Sequence, residues 1–129
     1  MFIAFVNWTP MKPLLVALTL CLNPLPALAA SLVMVEQAGC HWCEQWNAQI
    51  SHIYPKTDEG QQAPLRRVDL RDLPKDLTFK SPPVFTPTFV LVEDGKELGR
   101  IEGYAGDEFF WFLLARLLDE HSDEIETKS

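Results

Sequence analysis

The sequence predicts a single α/β domain, β-α-β followed by β-β-α, with a mixed central sheet flanked by helices. Three observations predict it. An apolar run, Leu32 to Glu36, leads through Gly39 into a Cys40-His41-Trp42-Cys43 motif that opens a helical stripe. A second strand pattern follows from Leu65 to Leu70, giving two strands joined through a helix. Further on, two strand patterns flank an Asp94-Gly95 turn and precede an amphipathic helix. The first pair requires a parallel, right-handed crossover and the second an antiparallel hairpin, so the sheet is mixed.

The first thirty residues differ from this domain. Met11-Lys12-Pro13 is a basic start, Leu14 to Leu22 an apolar core, and Ala27-Leu28-Ala29 a small-x-small cleavage site. These are the three parts of a secretory signal peptide, expected over residues 1–29 with cleavage after Ala29. Pro24 and Pro26 break the leader helix just before that site. The apolar core is shorter than the roughly 20 residues of a membrane span. Cys21 follows Leu20, where a lipoprotein signal has a small residue, so it is an apolar filler of the leader. Met1 to Pro10 carry no positive charge, which points to Met11 as the translation start. The expected location is therefore periplasmic.

The remaining chain, about 100 residues, holds one modest core. Without Lys12 it has 10 basic against 18 acidic residues, a net charge near −8. Such a chain lacks the basic stripe that phosphate contacts require, so nucleic acid is excluded as a partner. Arg66-Arg67 and Arg71 form the one basic group and flank a strand pattern.

Taken in order, Leu32-Val33-Met34-Val35-Glu36 reads as a buried strand. From Cys40, the positions Cys43, Trp46, Ile50 and Ile53 recur at intervals of three and four, a helix that Pro55 stops. Lys56 to Gly60 reads as a polar turn, and Leu65 to Leu70 as the second strand. Asp72 to Lys80 allows a helical turn or two at most, with Pro74 inside it. Pro82, Pro83 and Pro87 forbid helix, because each fixes φ and removes a donor. Thr88 to Val92 and Glu97 to Glu102 form the hairpin. Asp107 is placed to cap a last helix through Phe110, Leu113, Leu114, Leu117 and Leu118. Its segment Phe109 to Leu114 is apolar on several sides, which serves either core packing or a partner. Residues 122–129 read as a charged, frayed tail.

Cys40 and Cys43 are the two cysteines left after the leader, in a compartment where disulfides persist. Their loop is too short for a strong entropic staple. At a helix N-terminus, free N–H groups and the positive dipole end favour a thiolate, so Cys40 is the expected nucleophile and Cys43 the resolving thiol. An imidazolium at His41 would stabilise that thiolate, and Trp42 would offer a flat contact to a partner; the alternative is a solvated loop histidine and a shielding indole. Haem attachment needs His after the second cysteine, where Glu44 stands. Zinc needs about four ligands, and His52 and His121 are poorly placed to supply them. No metal is expected. A structural disulfide and a metal clip stay as alternatives to exchange chemistry.

Cys40-His41-Trp42-Cys43 after a strand, followed by Phe85-Thr86-Pro87-Thr88-Phe89-Val90 and then Gly95, Gly99 and Gly103, resembles the thioredoxin superfamily over the whole exported chain. The resemblance implies that Pro87 is a cis proline and that Thr86 offers its backbone to an extended partner segment. It implies a monomer whose only redox group is the Cys40–Cys43 disulfide, with no cofactor. The stretches Ile53 to Thr57, Ala63 to Asp69, Phe85 to Val92 and Gly103 to Trp111 are similar to the small periplasmic thioredoxins of bacterial sulfur-oxidation operons. That narrower likeness implies reduction of a sulfur-carrier protein and recharging by a membrane thiol transporter. An oxidase or isomerase of the same fold is the alternative. The family's buried acid, six residues before the first cysteine, is Met34 here, and Gly39 and Trp42 replace its Trp and Pro. Glu36 is a candidate substitute acid or a solvated strand end. These departures favour a narrow partner range.

Overall fold

The computed structural model describes residues 3–4 and 30–126. The expected signal peptide, its Met11 start and its cleavage site lie outside the described residues, apart from Ile3 and Ala4. Among the described residues no helix is long and apolar enough to cross a membrane.

The strands are β1 (Ala30–Glu36), β2 (Leu65–Asp69), β3 (Thr88–Glu93) and β4 (Lys96–Glu102). They form one mixed sheet in the order β2-β1-β3-β4. β1 runs parallel to β2 and antiparallel to β3, and β3 is antiparallel to β4. The hairpin turns on Asp94 and Gly95, both at positive φ, 50° and 77°. That pair of left-handed residues matches the twist of the flanking strands and explains the Asp-Gly pair. β1 and β3 are buried on both faces because they are the inner strands, which is why both read as continuous apolar runs.

Alternation along these strands separates two cores. Leu32, Met34, Phe89, Leu91 and Ile101 pack with Trp46, Ile50, Tyr54, Phe110, Leu114, Leu117 and Leu118 from the helices. Val33, Val35, Val68, Val90 and Val92 pack on the other face with Leu77, beside Leu70, Leu73 and Phe79.

The helical layer is more broken than the stripe suggests. α1 (His41–Trp46) passes into a π-helical turn, Asn47–Ser51, and then a 3₁₀ turn, Tyr54–Lys56, that contains Pro55. The expected polar turn at Lys56 to Gly60 is instead the entry to α2 (Asp58–Gln62). Thr57 caps it by accepting the Gly60 N–H on Oγ1 at 3.0 Å, and Asp58 and Glu59 face the positive end of its dipole. Gly60 lies against the 3₁₀ turn; a Cβ there would come within 1.8 Å of the Tyr54 carbonyl oxygen. α3 (Asp107–Glu120) follows β4. Its N-cap is Gly106 at φ 107° rather than Asp107, which is already helical and bonds its neighbour Glu108 N–H. Residues 122–126 correct the frayed tail: they form α4 (Ser122–Glu126), with Ile125 packed against the core.

Among the described residues no helix covers the second face. Residues 70–87 cross it as an irregular strap, so the helical turn allowed near Asp72 to Lys80 is absent. Leu77 anchors the strap, Arg66 grips Asp76 with two hydrogen bonds of 2.7 and 3.0 Å, and Thr78 exchanges backbone bonds with Gly95 and Glu97.

Candidate functional site

The loop leaving β1, Gln37 to Gly39, turns through Gly39 at φ 76° and delivers Cys40 to the N-cap of α1. An N-cap residue normally accepts an N–H from the first turn through a side-chain oxygen. Here sulfur does so: the Cys43 N–H donates to Cys40 Sγ at 3.1 Å. A backbone N–H aimed at a cysteine sulfur is a setting that favours a thiolate. The two cysteines are joined as a disulfide, with Cα atoms 5.2 Å apart. Cys40 is partly exposed and Cys43 is 3 % exposed, buried against the helical core. One sulfur faces outward and one lies behind it.

His41 and Trp42 stand exposed in the first turn, ring edge against ring face with centroids 4.9 Å apart. Trp46 is core, not site: it is fully buried and packs on Phe89 and Phe110.

Thr86 and Pro87 arrive from the strap. Their peptide is cis, and Pro87 is buried while its carbonyl accepts the Gly103 N–H at 2.7 Å. The register Val35↔Thr88 sets the start of β3 beside the end of β1. Gln37 Nε2 then donates to Thr86 Oγ1 at 2.9 Å, tying this loop to the one carrying Cys40. Thr86 is thereby brought to the cysteine loop across 49 residues of sequence. The residues just before it, Val84 and Phe85, are 69 % and 63 % exposed, and Trp42 is 55 % exposed. These side chains give the site apolar surface that the core does not use.

On the β2 side an open cavity of about 320 Å³ is lined by Glu36, Gly39, Cys43, Glu44, Asn47 and Arg67, among others. Arg67 organises it. Nη1 donates to Glu36 Oε2 at 2.6 Å, and Nη2 donates to Asn47 Oδ1 at 2.9 Å and Ser51 Oγ at 2.8 Å. Its guanidinium also lies 5.6 Å from the Trp46 ring centroid. Asn47 and Ser51 are the two ends of the π-helical turn, so the widened turn presents both side chains to one guanidinium.

Sequence reasoning set Thr86 and Pro87 against the Cys40–Cys43 pair through the family resemblance alone. It missed Gln37 and the role of Arg67, which it read as a strand flank. The polar Gln37 directly before Ala38-Gly39 was the available signal for the first; nothing local marks the second. Among the described residues no group of three or more His, Cys, Asp or Glu side chains is placed to hold a metal ion.

Comparison with known proteins gives the same outline. No protein-family model and no curated protein sequence matches the chain. Among solved structures it is similar to the periplasmic thioredoxin SoxS of Paracoccus pantotrophus in its reduced form, at 50% identity and a TM-score of 0.68, over 70% of this chain and 96% of that one. It also resembles a thioredoxin of Malassezia sympodialis at 14% identity and a TM-score of 0.51, over 70% and 79% of the two chains. The second likeness speaks to the fold alone.

Proposed function

The chain belongs to the thioredoxin superfamily and is a thiol–disulfide oxidoreductase acting on protein, and from that premise we propose that it works in the periplasm as a reductant. Cys40 attacks a disulfide or thiol adduct on the partner, Cys43 resolves the mixed disulfide, and the backbone at Thr86-Pro87 aligns the partner segment. The partner proposed is a sulfur-carrier protein of a sulfur-oxidation system, and a membrane thiol transporter returns the electrons. The likeness to a periplasmic relative along nearly its whole length supports the compartment, as does the leader read in the sequence.

One observation carries the mechanism: Cys40 Sγ sits at a helix N-terminus accepting the Cys43 N–H, with Cys43 buried behind it. Attack therefore begins at the outer sulfur and ends at the inner one. His41 and Trp42 tune the step, the first as the polar neighbour of Cys40 and the second as an apolar contact for the partner.

Replacing Cys43 with Ser removes the resolving thiol, so Cys43→Ser should accumulate a mixed disulfide with the natural partner, visible on a non-reducing gel and lost with reductant. The absence of any trapped species would reject exchange. The direction is tested by the reduction potential of the Cys40–Cys43 pair. A value near roughly −270 mV fits a reductant, whereas one near roughly −120 mV makes the protein an oxidant.

A further inference from the structure

The β1–β3 ladder stops just short of the site. Its last pair is Val35↔Thr88, and beyond it the Glu36 carbonyl is committed to the β2 side, accepting the Leu70 N–H at 2.9 Å. The loop that carries Cys40 and the strap that carries Thr86 therefore run on without sheet pairing between them. Among the described residues one side-chain hydrogen bond crosses the gap, from Gln37 Nε2 to Thr86 Oγ1 at 2.9 Å. Building on the reading above, in which the Thr86-Pro87 backbone aligns the partner segment, we propose that Gln37 is a positioning residue. Its side chain holds Thr86 in the orientation that an extended polypeptide needs in order to dock beside Cys40.

The backbone around Thr86 shows why its orientation needs a fixture. The Phe85 carbonyl accepts the Thr88 hydroxyl at 2.6 Å, and the Pro87 carbonyl accepts the Gly103 N–H at 2.7 Å. Among the described residues Thr86's own N–H and carbonyl have no hydrogen-bond partner. They are the peptide groups left to pair with an incoming strand. Upstream, Arg100 Nη2 donates to the Ser81 carbonyl, whereas Val84 and Phe85, nearer the site, are exposed. Thr86 is β-branched and has few χ1 wells, so holding its Oγ1 limits the orientation of its Cα and the adjoining peptides. Gln37 leads through Ala38 and Gly39 to Cys40, and with them it lines the cavity that Cys43 also reaches. The tie therefore couples the partner-aligning backbone to the loop of the nucleophile.

Such a tie acts on partners that present backbone and not on small disulfides. A polypeptide lying along Thr86 must bring its sulfur to Cys40 and its peptide groups to Thr86 at once. Its rate of attack therefore depends on the spacing and orientation of the two loops. A small disulfide meets Cys40 alone. What Gln37 controls is the preference for a polypeptide disulfide over a small one.

Two probes of the same chemistry separate these cases: N-acetylcysteine amide and a five-residue alanine peptide with a central cysteine, each activated as its thiopyridyl disulfide. In both, the Cys40 thiolate of the reduced protein attacks the probe's cysteine sulfur. The Cys40–probe bond forms, and thiopyridone leaves with the electron pair and is read by its absorbance. Wild type should react about tenfold or more faster with the peptide than with the single residue, the worth of two backbone hydrogen bonds. Gln37→Ala should leave the single-residue rate within about twofold and lower the peptide preference about fivefold, the worth of one such bond. Gln37→Glu keeps the length and accepts the Thr86 hydroxyl proton, so it should restore most of the preference. Thr86→Val keeps the branched shape without the acceptor and should match Gln37→Ala, with the double variant falling no further than either. A full preference in Gln37→Ala or Thr86→Val, no recovery in Gln37→Glu, equal slowing of both probes, or additive losses in the double variant would overturn the proposal. A wild-type protein without a peptide preference would instead reject the Thr86-Pro87 reading on which it rests.

Discussion

The two faces of the sheet are built from the same strands by different means. On the helical face, Leu32, Met34, Phe89 and Leu91 meet large aromatic groups, with Trp46 at the centre against Phe89, Phe110 and Tyr54. On the strap face, Val33, Val35, Val68, Val90 and Val92 meet Leu77 and little else that is fully buried. The strap is held largely by polar ties: Arg66 to Asp76, Thr78 to the hairpin, and Lys80 Nζ to the Leu98 carbonyl. A segment without helix must find partners for its backbone groups elsewhere, and this one takes them from the edge strand β4. Each face delivers one half of the site. The helical face fixes the helix that carries Cys40 and Cys43, and the strap delivers Thr86 and Pro87. Rigid packing positions the chemistry, while a tied but thinner layer positions the proposed partner contact.

Truncating the centre of each face separates these roles. Trp46→Ala removes a fully buried indole and should cost about 3–5 kcal/mol in urea unfolding of the oxidised protein. It should also change the alkylation rate of reduced Cys40, because α1 loses its main apolar anchor. Leu77→Ala, on a smaller side chain at a site that can partly collapse, should cost about 2 kcal/mol and leave that alkylation rate within twofold. Equal losses in the two variants, or altered Cys40 reactivity in Leu77→Ala, would erase the distinction between the faces.

What could be read from sequence divides along the same line. β1, β3 and the hairpin were legible because inner strands show continuous apolar runs and Asp94-Gly95 specifies its turn locally. The cysteine pair was legible because its meaning lies in four consecutive residues after a strand. α2 was not, although Thr57 followed by Asp58 and Glu59 is a start signal. Its five residues are too few for a periodic stripe, and Gly60, read as a turn residue, is required by the approach to Tyr54. Asp107 was misplaced by one position because Gly106 takes the cap with a backbone that only the folded turn reveals. Gln37 with Thr86, and Arg67 with Glu36, Asn47 and Ser51, are pairings across the fold, and no local pattern encodes them.

The smallest expected effect tests how tightly the helical face closes around its polar atoms. Tyr54 is buried there and its hydroxyl donates to the Ala63 carbonyl at 2.6 Å, joining the 3₁₀ turn to the end of α2. Burial first, and the nearby Glu59 carboxylate second, push its phenol well above the ordinary tyrosine range. A raised folded-state pKa keeps the neutral phenol in the folded protein while the unfolded chain ionises. The stability it contributes is therefore complete below about pH 10 and is lost progressively as pH rises beyond that value. Tyr54→Phe removes one buried hydrogen bond and should cost about 1 kcal/mol near neutral pH. Because Phe cannot ionise in either state, the gap from wild type should narrow above about pH 10. Urea midpoints of the two proteins across that range measure it. A constant gap would mean that the hydroxyl is reached by solvent and that the helical face is less closed than its packing implies.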